Sequence, residues 1–397
     1  MIYRDFKGKK MPLLGFGAMR LPTKKVGEES VIDYELCEKM IDLAMENGVN
    51  YFDTAYPYHG GNSEIVLGRI LSKYNRESFY LADKYPGHQL RSEYNPSEIF
   101  ENQLRKCGVD YFDFYLLHDV SEKSIEAYTD PRWGIIDYFI EERKKGRIKH
   151  LGFSTHAMLD CLNEFLEKYG EHMEFCQIQL NYLDWTLQNA REKCALLNAY
   201  NIPIWVMEPV RGGKLANLKE SETEKLLALS PLGSTASYAF RFLMDIPGVT
   251  VVLSGMSEMY QVEDNLATFK TECPLSKKEK EVVFDIARTL VDAVPCTGCR
   301  YCVDGCPMGL DIPMMMNTYN DIRFTPALNV SRRIEFLPED KKPSACLSCG
   351  ACSMICPQKI DIPAALCSLS EIVEKVPKWV DICRQREEAE RRLKAGK

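Results

Sequence analysis

Eight cysteines in two short runs constrain this chain more than any other feature. Cys296, Cys299, Cys302 and Cys306 precede Pro307, Asp311, Ile312 and Pro313, and the same order returns fifty positions later as Cys346, Cys349, Cys352, Cys356, Pro357, Asp361, Ile362 and Pro363. A duplicated unit accounts for the match; chance does not. Each run reads C-x2-C-x2-C-x3-C-P, the spacing in which three close thiolates hold one 4Fe-4S cubane and the fourth crosses to a second. The competing reading is structural zinc, which pairs C-x2-C units across a long gap and neither requires a third cysteine nor favours proline after the fourth. Disulfides fit poorly. Sixteen cysteines would suit a small secreted domain, but this chain has 397 residues and no apolar leader in Met1-Ile2-Tyr3-Arg4-Asp5-Phe6-Lys7-Gly8, so thiolate chemistry is the better reading. Cys37, Cys107, Cys161, Cys176, Cys194, Cys273, Cys367 and Cys383 are scattered and read as inert, buried small hydrophobes.

The repeat resembles the bacterial two-cluster ferredoxin family. Carried over position by position, the resemblance implies Cys296, Cys299, Cys302 and Cys356 for one 4Fe-4S cluster, and Cys346, Cys349, Cys352 and Cys306 for the other. The departure is the spacer of about forty residues from Cys306 to Cys346, which is expected to hold extra helix or loop. A ferredoxin-like, mostly helical iron-sulfur domain is therefore expected over 295–380. Arg384 to Lys397 alternates Arg, Lys and Glu, which reads as a charged helix or tail over 381–397 with solvated i,i+4 pairs.

Ahead of the cysteines the chain alternates between two periodicities. Apolar, β-rich runs recur at Leu14 to Met19, Val49 to Thr54, Phe79 to Lys84, Phe112 to His118, His150 to Ser154, Phe175 to Leu180, Pro203 to Glu208 and Val249 to Leu253. Most are separated by amphipathic stretches such as Tyr34 to Asn47, with Leu36, Met40, Leu43 and Ala44 on one face. Near-continuous hydrophobicity suits parallel strands buried on both sides. Eight such units predict an α/β fold of the TIM-barrel, (β/α)8, kind over residues 1–294. The alternative is a doubly wound open sheet, but no Gly-x-Gly-x-x-Gly follows the first strand. Ser276 and Glu279 form a capping box for a last helix that runs until Pro295, which places the boundary near Val294 with almost no linker and predicts a rigid junction.

Four polar residues follow the early apolar runs. Asp53 and Tyr58 lie in Phe52-Asp53-Thr54-Ala55-Tyr56-Pro57-Tyr58, Lys84 ends Leu81-Ala82-Asp83-Lys84, and His118 ends Tyr115-Leu116-Leu117-His118. In a barrel those strand ends converge on one mouth, where catalytic groups sit. Taken singly, Asp53 could cap a helix, Tyr58 could be a loop aromatic, Lys84 a surface charge and His118 a satisfied strand-end histidine. Jointly they are hard to explain as packing.

With Gly152-Phe153-Ser154, Gln177-Ile178-Gln179-Leu180-Asn181-Tyr182 and Gln261-Val262-Glu263-Asp264-Asn265, these residues make the chain resemble the aldo-keto reductase family over about residues 1 to 290. The resemblance implies Tyr58 as general acid, Lys84 as the cation that lowers its pKa, Asp53 as the carboxylate holding Lys84, and His118 as the group orienting the carbonyl oxygen. Tyr56 competes with Tyr58, which is preferred on spacing. A phenol of ordinary pKa, about 10, donates sluggishly near neutrality, so a neighbouring ammonium is expected to help.

The same resemblance implies NADP(H) or NAD(H) as cofactor. Ser154 and Gln179 would hold the nicotinamide amide, with Thr155 where the family usually has Asn and Met207 where it has a stacking aromatic. Ser254, Gly255, Met256 and Ser257 replace a segment that often carries Lys and Arg, and Gln261, followed by Asp264 and Asn265, stands where Arg is common. A flavin has no glycine fingerprint here, although barrels bind flavins without one. The expected partners are a small carbonyl or alcohol substrate and a redox partner protein. The net charge of -7 is spread along the chain, which argues against nucleic acid, and no apolar stretch suggests a membrane span, so a cytoplasmic location is expected. Two other readings stay open: an electron carrier whose barrel is a scaffold, and a barrel reductase whose clusters are structural. Pocket walls would come from the loops Pro86 to Pro96, Asp119 to Trp133 and Arg211 to Ser230.

Overall fold

The computed structural model describes residues 1–397 except 28, 89–93, 123, 230–233, 291–293, 295, 297–299, 325–327, 357 and 396–397. Pro295, Cys299 and Pro357, together with parts of all three loops named above, lie outside the described residues. The chain divides into two compact units, residues 1–185 with 189–283, and residues 186–188 with 284–397.

In the first unit eight parallel strands close into a barrel: β1 (Leu14–Gly17), β2 (Tyr51–Asp53), β3 (Tyr80–Tyr85), β4 (Phe112–Leu117), β5 (Ile148–Thr155), β6 (Cys176–Gln179), β7 (Ile204–Met207) and β8 (Val249–Ser254), with β8 pairing back onto β1. All eight expected strands are present, with ends moved by a few residues, and closure excludes the open-sheet alternative. β3 and β4 are buried almost throughout, as parallel strands covered on both faces must be. Tyr51, Phe114, Phe175 and Trp205 fill the lower interior.

Two antiparallel hairpins were not foreseen. Tyr3–Phe6 pairs with Lys9–Pro12 through Lys7 and Gly8, whose φ angles of 51° and 79° give the left-handed pair that a two-residue hairpin turn needs. Phe6 then packs edge-on against Trp205 at 5.1 Å, so the hairpin closes the end of the barrel where the strands begin. The other end is left for a site. The second hairpin, Thr23–Val26 with Glu29–Ile32, is mostly exposed on its first strand. The expected capping box is formed: Ser276 N donates to Glu279 Oε2 at 2.8 Å, Glu279 N donates to Ser276 Oγ at 3.3 Å, and the helix Lys277–Leu290 follows.

The second unit is helical, with no strand among its described residues. The sequence repeat is also a structural repeat. Tyr301–Asp304 and Ala351–Met354 are single-turn helices, each followed by a longer helix, Ile312–Phe324 and Ile362–Lys375. Both long helices carry proline in the first turn, and Asp311 and Asp361 accept from Met314 N and Ala364 N at 3.3 and 3.2 Å. The long spacer holds helix Leu328–Glu335 and two short 3-10 turns, and the chain ends in Trp379–Ala395. Leu310, Ile312, Met316, Ile362, Leu366 and Leu369 form its core. Among the scattered cysteines Cys273 and Cys367 are exposed, which corrects the expectation that all are buried; the other six are buried. No helix among the described residues is long and apolar enough to cross a membrane.

Candidate functional site

Asp53 ends β2, Tyr58 opens a 3-10 turn in the loop after it, Lys84 stands near the end of β3, and His118 follows β4 directly. The fold brings all four together. Lys84 has no solvent exposure; its Nζ donates to Asp53 Oδ1 at 2.5 Å and to the Thr54 carbonyl oxygen at 2.6 Å. The same ammonium lies 5.0 Å from the centre of the Tyr58 ring, and the Tyr58 and His118 rings meet edge to face at 6.1 Å. Tyr56, the competing phenol, meets Lys106 instead, at 4.6 Å.

Burial sets the electrostatics. It holds the Asp53 carboxyl above its usual range despite Lys84. Burial alone would pull Lys84 down, but Asp53 and Tyr58 outweigh it and hold the ammonium above its ordinary value. At Tyr58 burial raises the phenol, and Lys84 opposes this without reversing it. The expectation that Lys84 brings Tyr58 down toward neutrality therefore holds for the sign of the Lys84 effect and not for the net shift, because desolvation of a phenolate is the larger effect here.

Side chains behind Lys84 fix its backbone. Asp83 Oδ1 accepts from Lys84 N at 2.8 Å, Gln103 Nε2 donates to the Lys84 carbonyl at 3.0 Å, and Tyr115 OH donates to Gln103 Oε1 at 2.5 Å. Sequence reasoning missed His88, which is buried in the loop after β3 with its ring 4.4 Å from His118. The preceding Gly87 packs on Tyr128, whose single hydroxyl proton is shared between the carbonyl oxygens of Tyr85 and His118 at 3.0 and 2.7 Å. A Cβ on Gly87 would stand 2.6 Å from the Tyr128 ring, so only glycine lets the loop turn there.

The residues expected at the cofactor lie at the ends of β5 to β8, in the loop after β8 and on the helix Met259–Thr268. Ser154 Oγ accepts from Asp119 N at 2.9 Å, Thr155 Oγ1 donates to the Val120 carbonyl at 2.6 Å, and Gln179 Nε2 donates to Asp184 Oδ2 at 2.8 Å. Asp184, fully buried, also accepts from Asn181 Nδ2 at 2.6 Å and pairs with Arg211. Met207, half-buried, ends β7. Ser254 ends β8 and accepts from Asn265 Nδ2 at 2.9 Å; Gly255 is exposed and Met256 buried. Gln261 Oε1 accepts from Ser257 N at 2.7 Å, and Asp264 accepts from Ser234 Oγ at 2.6 Å. Sequence reasoning also missed Arg20. Its side chain lies 3.3 Å from where a Cβ on Gly212 or on Gly255 would sit, so the loops after β7 and β8 both have glycine where this cation passes. The same cation acts on the buried Glu208 carboxyl, opposing the upward push of burial there.

The cysteines gather in two places. Cys306, Cys346, Cys349 and Cys352 line one space with Met308, Leu310, Leu347 and Leu366. Cys296, Cys302 and Cys356 line another with Arg300, Met316 and Ile360. Each space takes cysteines from both runs, with the fourth of each run crossing over. Among the described residues no three His, Cys, Asp or Glu side chains converge as a ligand set for a single metal ion. The donor set of the fully described space, four soft thiolates around an apolar volume, fits a cubane.

The Aldo/keto reductase family matches residues 13–283, and the 4Fe-4S dicluster domain matches residues 295–360. The chain belongs to the aldo/keto reductase family of oxidoreductases and carries a C-terminal 4Fe-4S dicluster domain. It is 25% identical over 333 residues to an NADH-specific methylglyoxal reductase of Escherichia coli strain K12, covering 71% of this chain and 99% of that protein. It is 26% identical over 292 residues to an aldo-keto reductase of Mycobacterium avium, covering 73% and 92%. The holo form of an aldo-keto reductase from Bacillus halodurans superposes with a TM-score of 0.57 at 25% identity, over 72% of this chain and 96% of that one.

Proposed function

We propose that the barrel reduces a small carbonyl compound to the alcohol with a nicotinamide cofactor, and that the C-terminal clusters form a one-electron path to a partner protein. The observation that carries the reading is the buried Lys84–Asp53 pair at 2.5 Å with the Tyr58 and His118 rings gathered around it at the mouth of the barrel. A bound nicotinamide supplies hydride. Tyr58 holds the proton that the carbonyl oxygen takes as it becomes an alcohol. Lys84 stabilises the phenolate left behind, Asp53 keeps Lys84 charged without water, and His118 sets the direction of approach of the oxygen. Ser154 and Gln179 orient the nicotinamide amide. Ser254 to Ser257 offers neither Lys nor Arg, which favours NADH, as does the name of the Escherichia coli relative. Cys296, Cys299, Cys302 and Cys356 hold one cluster, and Cys346, Cys349, Cys352 and Cys306 the other.

The test is reduction of short aldehydes and methylglyoxal by anaerobically purified protein, with NADH and NADPH compared on each. Tyr58→Phe lowers kcat/KM at least a hundredfold, the lower end of what general acid catalysis contributes. An undiminished rate in that variant overturns the reading.

A further inference from the structure

The two cysteine units descend from one sequence, so positions that differ between them were not fixed by cluster ligation. At three of those positions the second unit gains a large apolar side chain, whereas at two others, Tyr301/Ala351 and Val303/Ser353, it loses one. Where the first unit has Thr297, Asp304 and Gly305, the second has Leu347, Met354 and Ile355. These three large apolar side chains are 64%, 84% and 54% exposed, and all fall within the nine residues that carry Cys349 and Cys352. Leu347 lines the space shared by Cys306, Cys346, Cys349 and Cys352, and Cys349 is itself exposed. The backbone does not call for the change: Gly305 ends its helix at φ −91°, ψ 2°, and Ile355 at φ −89°, ψ −8°. Clustered exposed apolar side chains mark interaction sites, and small, transient interfaces are typical of electron-transfer encounters.

We propose that Leu347, Met354 and Ile355 form the docking face for a small one-electron carrier protein of the ferredoxin type, seated over the cluster held by Cys306, Cys346, Cys349 and Cys352. The proposal rests on reading the clusters as an electron path. Its occupant follows from position: a cubane exchanges single electrons, so whatever covers its exposed edge to exchange with it must do the same. In the step, one electron leaves the reduced carrier, which becomes oxidised, and enters the cluster, which becomes reduced; no bond or proton changes hands. The second unit is thus the port to the partner, and the first, with Asp304 and Gly305 at the matching surface positions, is not.

The first unit supplies the test. Met354→Asp with Ile355→Gly transplants its residues onto a backbone that already accepts them. Reduction of the oxidised holoprotein by a reduced bacterial two-cluster ferredoxin is followed by stopped-flow bleaching of the cluster absorbance, with dithionite as a small-molecule reductant that needs no docking face. The double variant lowers the ferredoxin rate constant at least tenfold and leaves the dithionite rate within twofold, and hydrogen exchange over residues 347–355 slows on adding ferredoxin to the wild type only. Equal ferredoxin rates in wild type and variant overturn the proposal, as does a parallel fall with dithionite, which would mean that the residues shield the cluster. Conversion of a dimer to a monomer by the same variant, seen by sedimentation, assigns the face to a second copy and also overturns it. Wild-type clusters that dithionite cannot reduce would end the electron-path reading itself, whereas carbonyl reduction with NADH is measured separately.

Discussion

Lys84→Met tests the barrel site most sharply, because it removes the ammonium and leaves an unbranched apolar side chain of similar length. Lys84 is fully buried and bonded to Asp53 and the Thr54 carbonyl, and it is the group that opposes burial at Tyr58. Without it the phenol becomes a still weaker acid. General acid catalysis contributes about 10²- to 10⁴-fold, or about 2.7–5.4 kcal/mol at 1.36 kcal/mol per tenfold, so kcat/KM for aldehyde reduction falls by that range. Stability falls too, since breaking a buried ion pair costs about 3–5 kcal/mol when the remaining group stays charged. Asp53 can escape that cost by taking a proton. Its folded pKa already lies above the ordinary value, and losing Lys84 raises it further. A carboxyl with a raised folded pKa binds its proton more tightly folded than unfolded, so stability drops as pH climbs from about 4 through the folded pKa. The gap between variant and wild type therefore widens as pH rises, read as the unfolding midpoint of the barrel by circular dichroism at pH 5 and at pH 8. Equal losses at both pH values, or a kcat/KM within threefold of wild type, would refute the reasoning.

Asp184→Ala removes the buried carboxylate on which Gln179, Asn181 and Arg211 converge, and is expected to cost about 3–5 kcal/mol in urea unfolding and to weaken nicotinamide binding in a calorimetric titration. Gly68→Ala would place a Cβ 2.4 Å from the Cys107 carbonyl oxygen, forcing the helices Asn62–Leu71 and Pro96–Cys107 apart; the expected loss is about 1–3 kcal/mol, seen as a lower Tm. Cys306→Ser removes the ligand that crosses to the second run, so iron falls from about eight to about four per chain and the surviving EPR signal matches that of Cys352→Ser. A match to Cys302→Ser instead would reverse the crossover.

Much of the barrel was legible because buried parallel strands are near-continuous apolar runs, and all eight appear as such. The hairpins were not. Tyr3-Arg4-Asp5-Phe6 and Lys9-Lys10-Met11-Pro12 are short and charged, and only Phe6 shows, in three dimensions, why the first exists: it plugs the barrel floor. At the mouth, Asp53, Lys84 and His118 could be read because each ends an apolar run. His88 could not, since the Gly87 before it packs on Tyr128, forty-one residues further on. Arg20 was hidden for the same reason: the glycines that admit it stand at positions 212 and 255.

The C-terminal unit was legible by different physics. Tyr301–Asp304 and Ala351–Met354 are single helical turns, far below the length at which propensity sustains a helix in water. No hydrophobic period announces them. What the repeat preserves instead is the spacing of sulfurs and the Asp-Ile-Pro start of the longer helix that follows, one a constraint on ligation and the other on chain direction. Because thiolates that hold a cluster must be brought together by folding, binding free energy there is folding free energy. The barrel differs in kind: its Lys84–Asp53 pair is completed by the chain's own residues. Surface residues between the cysteines answer to neither constraint, and for that reason the change from Asp304-Gly305 to Met354-Ile355 carries information about something outside the chain.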